Sequence, residues 1–465
     1  MYNLAIIGGG PAGYTAAETA AKAGWKVVLF EAETLGGTCL NVGCIPTKTL
    51  LYSAKQYAQA KNAQKYGVMA ENVVFDFQKM QQRKLKTVRK LVAGIRQRLQ
   101  GCEVISAQAK VLSRTDEKVT IEANATMYEA EHLLICTGSK NFVPPIEGIH
   151  DNPYIIDSTD ALNAKELPQS IVIVGGGVIG MEFATLYSEL GVQVTVVEAM
   201  PRILPQLDED CASLLQEKYI KQGVVILTAT KVMRIEQNRV FVKPSGSETE
   251  EVIAADQILV CVGRRANLQG LEELKELEIE RGAVKVNDFM QTNLKNVYAA
   301  GDVTGKVMLA HVASRQAEVA VGRMLKQIPL QRIAYNAIPS VVYTHPEIAS
   351  VGLTARQAED FYREMEGEEA FEKKGGAAAF FEVRQLPMTY SGRFVAENEG
   401  ETGLCKVVID CRNRTILGVH CVGNPASEFI AAASFAVRMG YTVSEFHQVV
   451  FPHPTVSEIL RETIS

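Results

Sequence analysis

The chain has 465 residues, 47% of them hydrophobic and 22% charged, with a net charge of −5. That balance supports a sizeable core in about three domains and excludes a disordered chain. It gives no bulk field for nucleic acid or a membrane surface, no apolar run approaches about 18 residues, and nine scattered cysteines do not make a secreted disulfide framework.

Met1 runs straight into a strand, so no signal peptide is expected and a cytoplasmic enzyme fits best. Tyr2 to Ile7 read as a short buried strand. Gly8, Gly10 and Gly13 follow, then an Ala-rich helix to about Ala23 and a strand from Lys26 to Glu31. This is Gly-x-Gly-x-x-Gly in its proper setting. The glycines let the backbone approach a pyrophosphate at a helix N-terminus, and the acid takes a ribose hydroxyl.

Gly36-Gly37-Thr38-Cys39-Leu40-Asn41-Val42-Gly43-Cys44-Ile45-Pro46-Thr47-Lys48 comes next. Pro46 suits the first turn of a helix, which puts Cys44 near a helix N-terminus where thiolate is favoured. Lys48 falls on the same helical face. An intracellular disulfide is usually transient and catalytic, so the pair reads as one that opens and closes in each cycle. A zinc site needs four ligands, and no Cys or His follows at close range. Two unlinked structural cysteines leave the flanking glycines unexplained.

Asp76 to Gln100 reads as a long helix. Leu85, Val88, Val92, Ile95 and Leu99 form its apolar stripe. Lys79, Arg83, Lys84, Lys86, Arg89, Lys90, Arg96 and Arg98 form a basic face, read as solvated rather than polyanion-binding. A strand then leads to Cys136-Thr137-Gly138-Ser139, and the turn at Pro144-Pro145 marks a domain boundary.

The nucleotide unit recurs. Ile171 to Val174 is a strand, and Gly175, Gly177 and Gly180 are the turn. A helix runs to about Leu190, and the strand Gln193 to Glu198 carries the acid at the same distance from the first glycine. Both copies keep three glycines and the acid, which argues for two dinucleotide sites over one live and one dead copy. The segment Ile258 to Arg265 ends the second unit. Val297 to Val303 delivers Asp302 at a strand end, where an acid either meets a ribityl or ribose hydroxyl or caps a helix.

From about Tyr335 the glycine logic stops, and strands alternate with two expected helices. One starts at Thr354 with Gln357 as a capping box. Glu364 to Ala379 reads as a mobile surface loop. Near the end, prolines flank His453, and Thr455-x-x-Glu458 is a second capping box. His345-Pro346 repeats the His-Pro step, so position alone does not choose between the histidines.

In this order and with these gaps the chain resembles the pyridine nucleotide–disulfide oxidoreductases, from about Tyr2 to Ser465. Within them it is most similar to the branch that oxidises dihydrolipoyl groups with NAD+. The Glu364–Ala379 stretch is longer than the family pattern. The resemblance implies an α/β fold: two Rossmann-like domains, for FAD and NAD, and a C-terminal α+β dimerisation domain. The implied division is 1–146 and 268–335 for the FAD-binding and central parts, 147–267 for NAD, and 336–465 for the interface. It places Cys44 against the flavin and leaves Cys39 for exchange with substrate. It pairs Lys48 with Glu182, makes His453 of the partner subunit the general base, and gives Glu458 the orienting role.

By the same likeness FAD is held by Gly8, Gly10, Gly13, Glu31, Gly37, Thr38 and Lys48, with Ala109, Thr137, Gly138, Asp302 and Ala310. NAD is held by Gly175, Gly177, Val178, Ile179, Gly180, Glu198, Val232 and Gly263. No metal is implied. Glu198 would bind a ribose diol and repel a 2′-phosphate. Ala199 and Pro205 stand where NADP-using relatives carry arginines, although Arg202 lies nearby.

The implied partners are a second copy of the chain and a lipoyl-bearing protein of a 2-oxo acid dehydrogenase, acetoin or glycine-cleavage system. No nucleic acid and no membrane are implied. The rival readings are a glutathione reductase-like enzyme and a non-catalytic NADH-binding flavoprotein sensor or scaffold. A mercuric reductase is weaker, because the C-terminus lacks a cysteine pair. The His453–Pro454 bond is expected to be cis.

Overall fold

The computed structural model describes residues 1–329 and 332–465. Its first unit grows from β1 (Tyr2–Ile7), whose Leu4 to Ile7 are buried between two layers. Pro11 opens α1 (Pro11–Lys22), where its missing N–H costs nothing. Ala12, Ala16 and Ala20 let that helix lie close on the sheet. β1 pairs in parallel with β2 (Val27–Glu31) and with Thr126–Ile135. Glu103–Ser106 extends one side, an antiparallel ribbon at 110–114 and 119–123 extends the other, and Val297–Ala299 returns to pair with Thr126–Ile135.

The second unit repeats this plan around Ser170–Val174, flanked by Gln193–Val197 and Gln257–Val260 in a five-stranded sheet, with a separate three-stranded antiparallel sheet. Ser139–Asn141, leaving the first unit, pairs antiparallel with Arg264–Ala266, returning from the second. The chain therefore crosses between the units at one two-stranded junction. The C-terminal unit is a five-stranded antiparallel sheet from Ser340–Val342 to Phe381–Pro387, backed by Ala426–Met439 and Ile459–Ile464. The α/β class with a C-terminal α+β unit is as expected. No helix among the described residues is long and apolar enough to cross a membrane.

Three expectations need correction. The C-terminal unit holds more than two helices, short ones at Gly392–Glu397 and Val443–His447 among them. The stretch Glu364–Ala379 is not a loop. It completes a helix (Ala355–Glu366), forms another (Glu368–Lys373) and ends in a 3-10 turn (Gly376–Ala379). Its charged composition hid the apolar anchors: Tyr362, Phe371, Phe380 and Phe381 form their own small core, with Phe371 stacked on Phe380 at 5.2 Å. Arg363 ties the two helices through Glu359, Glu368 and Glu372.

The third correction concerns the basic helix. Asp76 caps the helix Phe77–Arg98 by accepting the Lys79 N–H at 3.0 Å, and Val92, Ile95 and Leu99 are buried as expected. Leu85 is exposed, however, and Lys84 is buried. The N-terminal half of this helix meets the carbonyls of residues 162–165. Gln78, Gln81 and Lys84 donate to Lys165, Ala164 and Leu162 in turn. A row facing unpaired carbonyls needs donors, and a methyl stripe would leave them unsatisfied.

Candidate active site

After β2 the chain forms α2 (Gly37–Val42), breaks at Gly43 and restarts as α3 (Cys44–Lys61). A Cβ on Gly43 would lie 2.8 Å from the Thr38 carbonyl oxygen, so only glycine permits this tight junction. It folds Cys44, at the first position of α3, back beside Cys39. Asn41 pins the preceding loop, donating to the Thr34, Leu35 and Gly37 carbonyls at 3.1, 3.1 and 3.0 Å. Both thiols are unbonded.

The two sulfurs hydrogen-bond to each other and polarise in opposite senses. That bond, helped by the Lys48 ammonium and opposed by burial and Glu182, brings Cys44 down to about 7. The same bond and burial push Cys39 well up. In the reduced pair these opposite shifts favour charge on Cys44 over Cys39.

Lys48 lies one turn on in α3. Its Nζ meets both oxygens of Glu182, each at 2.8 Å. Glu182 sits in the second unit's helix Val178–Glu189 and is only 4% exposed. The C-terminal unit closes the site: the Tyr343 N–H donates to Glu182 Oε1 at 3.1 Å, and Lys48 Nζ lies 4.5 Å from the Tyr343 ring centroid. Sequence reasoning missed Tyr343, because an isolated tyrosine after a strand carries no pattern.

The glycine turns match in detail. Gly8 and Gly175 have φ of 105° and 108°, and a Cβ on Gly13 or Gly180 would lie 1.8 or 1.9 Å from the carbonyl oxygen of Gly8 or Gly175. Glu31 accepts the Gly9 N–H and Glu198 the Gly176 N–H, both at 2.7 Å. Neither α1 nor Val178–Glu189 has a side-chain cap, so the first-turn N–H groups of each face outward as anion donors. A cavity of about 350 Å3 opens beside Glu31, lined also by Thr34, Leu35, Arg96 and Leu99. It suits the nucleoside end of a dinucleotide. Free helix ends, acids and cavity fit two dinucleotides.

Around the first turn Gly37 approaches Gly10 and Thr137 approaches Gly8. A Cβ on Gly37 would fall 2.7 Å from Gly10 Cα, so the start of α2 lies against the turn. Gly301, just before Asp302, abuts Ala12 of α1. Asp302 begins a 3-10 turn capped by Gly301, so it is not itself the cap, and it accepts the Ser139 hydroxyl at 2.6 Å. Thr137 Oγ1 donates to the Asn267 carbonyl at 2.5 Å, and the Asn267 N–H donates to Gly138 O at 2.9 Å. Ala310 opens the helix Ala310–Met324, which packs on α1 through Thr15 and Ser314; Ala109 is buried under the sheet.

Around the second turn, Val178 is exposed at the helix start, followed by Ile179. Gly263 accepts from Phe142 at the junction, and Val232 lies in Thr230–Glu236. Arg202 is committed elsewhere, donating to Leu207 O at 2.9 Å and Pro205 O at 3.0 Å. Arg264, which sequence reasoning passed over, holds Ser139 and Asn141 at the junction and so orders the Asp302 side.

The histidines separate. His345 Nδ1 lies 3.0 Å from Glu189 and the residue is largely buried, whereas the His453 side chain is 81% exposed. Glu458 Oε1 holds His453 Nδ1 at 2.9 Å and Oε2 accepts the Thr455 N–H at 2.8 Å, which together keep the carboxylate below its ordinary range. The His453–Pro454 bond is cis. Among the described residues the hydrogen bonds of this segment stay within the C-terminal unit.

A family described as pyridine nucleotide-disulphide oxidoreductase matches residues 2–317, and its dimerisation domain matches 338–464. A dihydrolipoyl dehydrogenase of Bacillus subtilis is 36% identical over 470 residues, covering 99% of this chain and 97% of that protein. One from Mycoplasma genitalium is 35% identical over 467 residues with the same coverage. The structure of an HOCl-induced flavoprotein disulfide reductase, RclA from Escherichia coli, superposes with a TM-score of 0.82 at 29% identity, covering 100% of this chain and 99% of that one. On the residues matched and the geometry they build, the chain belongs to the pyridine nucleotide–disulphide oxidoreductases.

Proposed function

We infer that the protein is a dihydrolipoyl dehydrogenase, an oxidoreductase that uses FAD and NAD+. The observation that carries the reading is the thiol pair at the α2–α3 break, whose helix α2 starts against the first glycine turn, and its tie through Lys48 to Glu182 of the second unit. The site therefore touches both nucleotide units at once, as a relay from a dithiol to a nicotinamide requires. Residues 1–146 with 268–335 form the FAD-binding and central part, 147–267 the NAD-binding part and 336–465 the interface.

In the oxidised enzyme Cys39 and Cys44 are a disulfide. A substrate thiolate attacks Cys39, forming a mixed disulfide and releasing Cys44 as thiolate; the second substrate sulfur then closes the substrate disulfide and frees Cys39. Two electrons now rest on the pair. His453 of the partner subunit takes the substrate proton, and Glu458 holds its ring at Nδ1. Lys48 favours the Cys44 thiolate, which would face bound FAD, and Glu182 holds Lys48. Bound FAD carries the electron pair from the dithiol to NAD+, giving NADH. The first glycine turn with Glu31, Thr137, Gly138, Asp302 and Ala310 binds FAD. The second, with Glu198, Val232 and Gly263, binds NAD.

The protein acts as a homodimer on a lipoyl-bearing partner. That partner belongs to a 2-oxo acid dehydrogenase, acetoin or glycine-cleavage system, and the location is the cytoplasm. Glutathione reductase-like use of NADPH is disfavoured by Glu198 and by the commitment of Arg202 to backbone carbonyls. The test offers the purified enzyme dihydrolipoamide with NAD+, and glutathione disulfide with NADPH. The expected result is NADH formation with dihydrolipoamide; preferential glutathione reduction would refute the reading.

A further inference from the structure

Tyr343 lies in the turn between strands Ser340–Val342 and Ile348–Gly352 of the C-terminal unit. The turn lies along one face of helix Val178–Glu189 and is fastened to it twice. Tyr343 N–H donates to Glu182, and two residues on His345 meets Glu189, two helical turns from Glu182 on the same face. The Tyr219 hydroxyl also accepts the His345 N–H at 3.3 Å. The two anchors hold the Tyr343 backbone beside Glu182, with the residue 37% exposed.

The Tyr343 ring lies against Lys48. The ammonium spends two of its three donors on Glu182, and the ring covers part of its remaining surface at 4.5 Å. The Tyr343 hydroxyl makes no hydrogen bond among the described residues, so the ring face, not the polar tip, contacts the site. A cation over a ring face is attracted to it, modestly where, as here, both groups stay partly exposed.

We propose that Tyr343 is a positioning residue that holds Lys48 between Glu182 and Cys44, and so governs how readily Cys44 carries negative charge. The inference rests on the reading above that Cys44 works as a thiolate. The groups whose charge or dipole acts on Cys44 are Cys39 from α2, Lys48 from its own helix, Glu182, Tyr14, Arg264 and Tyr343. Lys48 acts more strongly on Cys44 than Glu182 does and in the opposite sense. Releasing the lysine into water therefore weakens the thiolate.

The test is site-resolved alkylation. Reduced holoenzyme is pulsed with iodoacetamide across a pH series, and modification at Cys44 is read by mass spectrometry. The wild-type midpoint is expected at about 7. Tyr343→Leu should raise it by roughly half to one pH unit, while Tyr343→Phe, which keeps the ring, should follow wild type. If Tyr343→Leu does not fold, Tyr343→Met serves the same purpose. A Leu or Met midpoint at or below wild type, or a Phe midpoint that moves as far as Leu, overturns the inference. Lys48→Met, run alongside, should shift at least as far as Tyr343→Leu. If it stays at the wild-type midpoint, the lysine's role fails and the inference falls with it; if only Tyr343→Leu stays, the inference falls alone.

Discussion

The two nucleotide units share a skeleton and part company just after the acid. In both, the acid accepts the amide of the residue after the first glycine of its turn, Gly9 or Gly176, at 2.7 Å. In both, the chain then loops back to that residue's carbonyl: Gly36 N–H reaches Gly9 O at 2.8 Å, and Leu204 N–H reaches Gly176 O at 2.9 Å. The first return brings Gly37 against the glycine turn and carries Cys39 and Cys44 after it. The second delivers Ile203 and Leu204 into a core, with Arg202 bound to its own loop. One frame holds the nucleotide, and what the return loop carries decides whether the unit also does sulfur chemistry.

The largest effect separates the units outright. Cys44→Ser should cut dihydrolipoamide turnover by at least about a thousandfold, because the relay loses a sulfur, while flavin stays bound. Turnover and flavin content, measured together, decide it; loss of flavin with activity retained would be the opposite pattern.

Matched glycine substitutions should break each unit alone. Gly13→Ala places a Cβ on the Gly8 carbonyl and should release flavin. Gly180→Ala does the same to Gly175, and should lower NAD-linked kcat/KM by about a hundredfold while the protein remains yellow. Flavin absorbance and NAD kinetics read the two outcomes separately.

Much of this symmetry is legible in the sequence, because a glycine turn between a strand and a helix is local: strand, turn, helix and acid lie within about thirty residues. The cysteine helix is legible for the same reason, with Pro46 and Gly43 marking its start. Tyr343, Arg264 and Asn41 are not. Each acts through contacts that no periodic pattern announces, and for Tyr343 and Arg264 the partners are far along the chain. Lys84 was misread because a basic run looks solvated until the carbonyls of 162–165 arrive beside it. The 364–379 stretch was misread because charge and glycine outweighed Phe371, a residue that means little until Tyr362 and Phe380 surround it.

Two smaller effects sharpen the comparison. Glu198→Ala should lower kcat/KM for NAD by about ten- to a hundredfold, with little gain for NADP because Arg202 is held by Pro205 and Leu207. A steady-state comparison of the two nucleotides checks this. Cys39 and the Lys48 ammonium hold the Cys44 thiol down to about 7, so its thiolate should be lost as pH falls through that value. Electron delivery from the reduced pair should therefore slow as pH falls through that value, which stopped-flow flavin reduction can follow. Outside both units, Phe371→Ala should cost about 3 kcal/mol in its small aromatic core, lowering Tm and leaving kcat/KM unchanged.

The central claim is that substrate electrons land first on the sulfurs at 39 and 44. One equivalent of dihydrolipoamide added to oxidised enzyme without NAD+, followed by thiol trapping and peptide mapping, tests it directly. Two new thiols at Cys39 and Cys44, lost again once NAD+ is supplied, are the predicted result. Flavin reduction with no new thiol at either position would contradict the account.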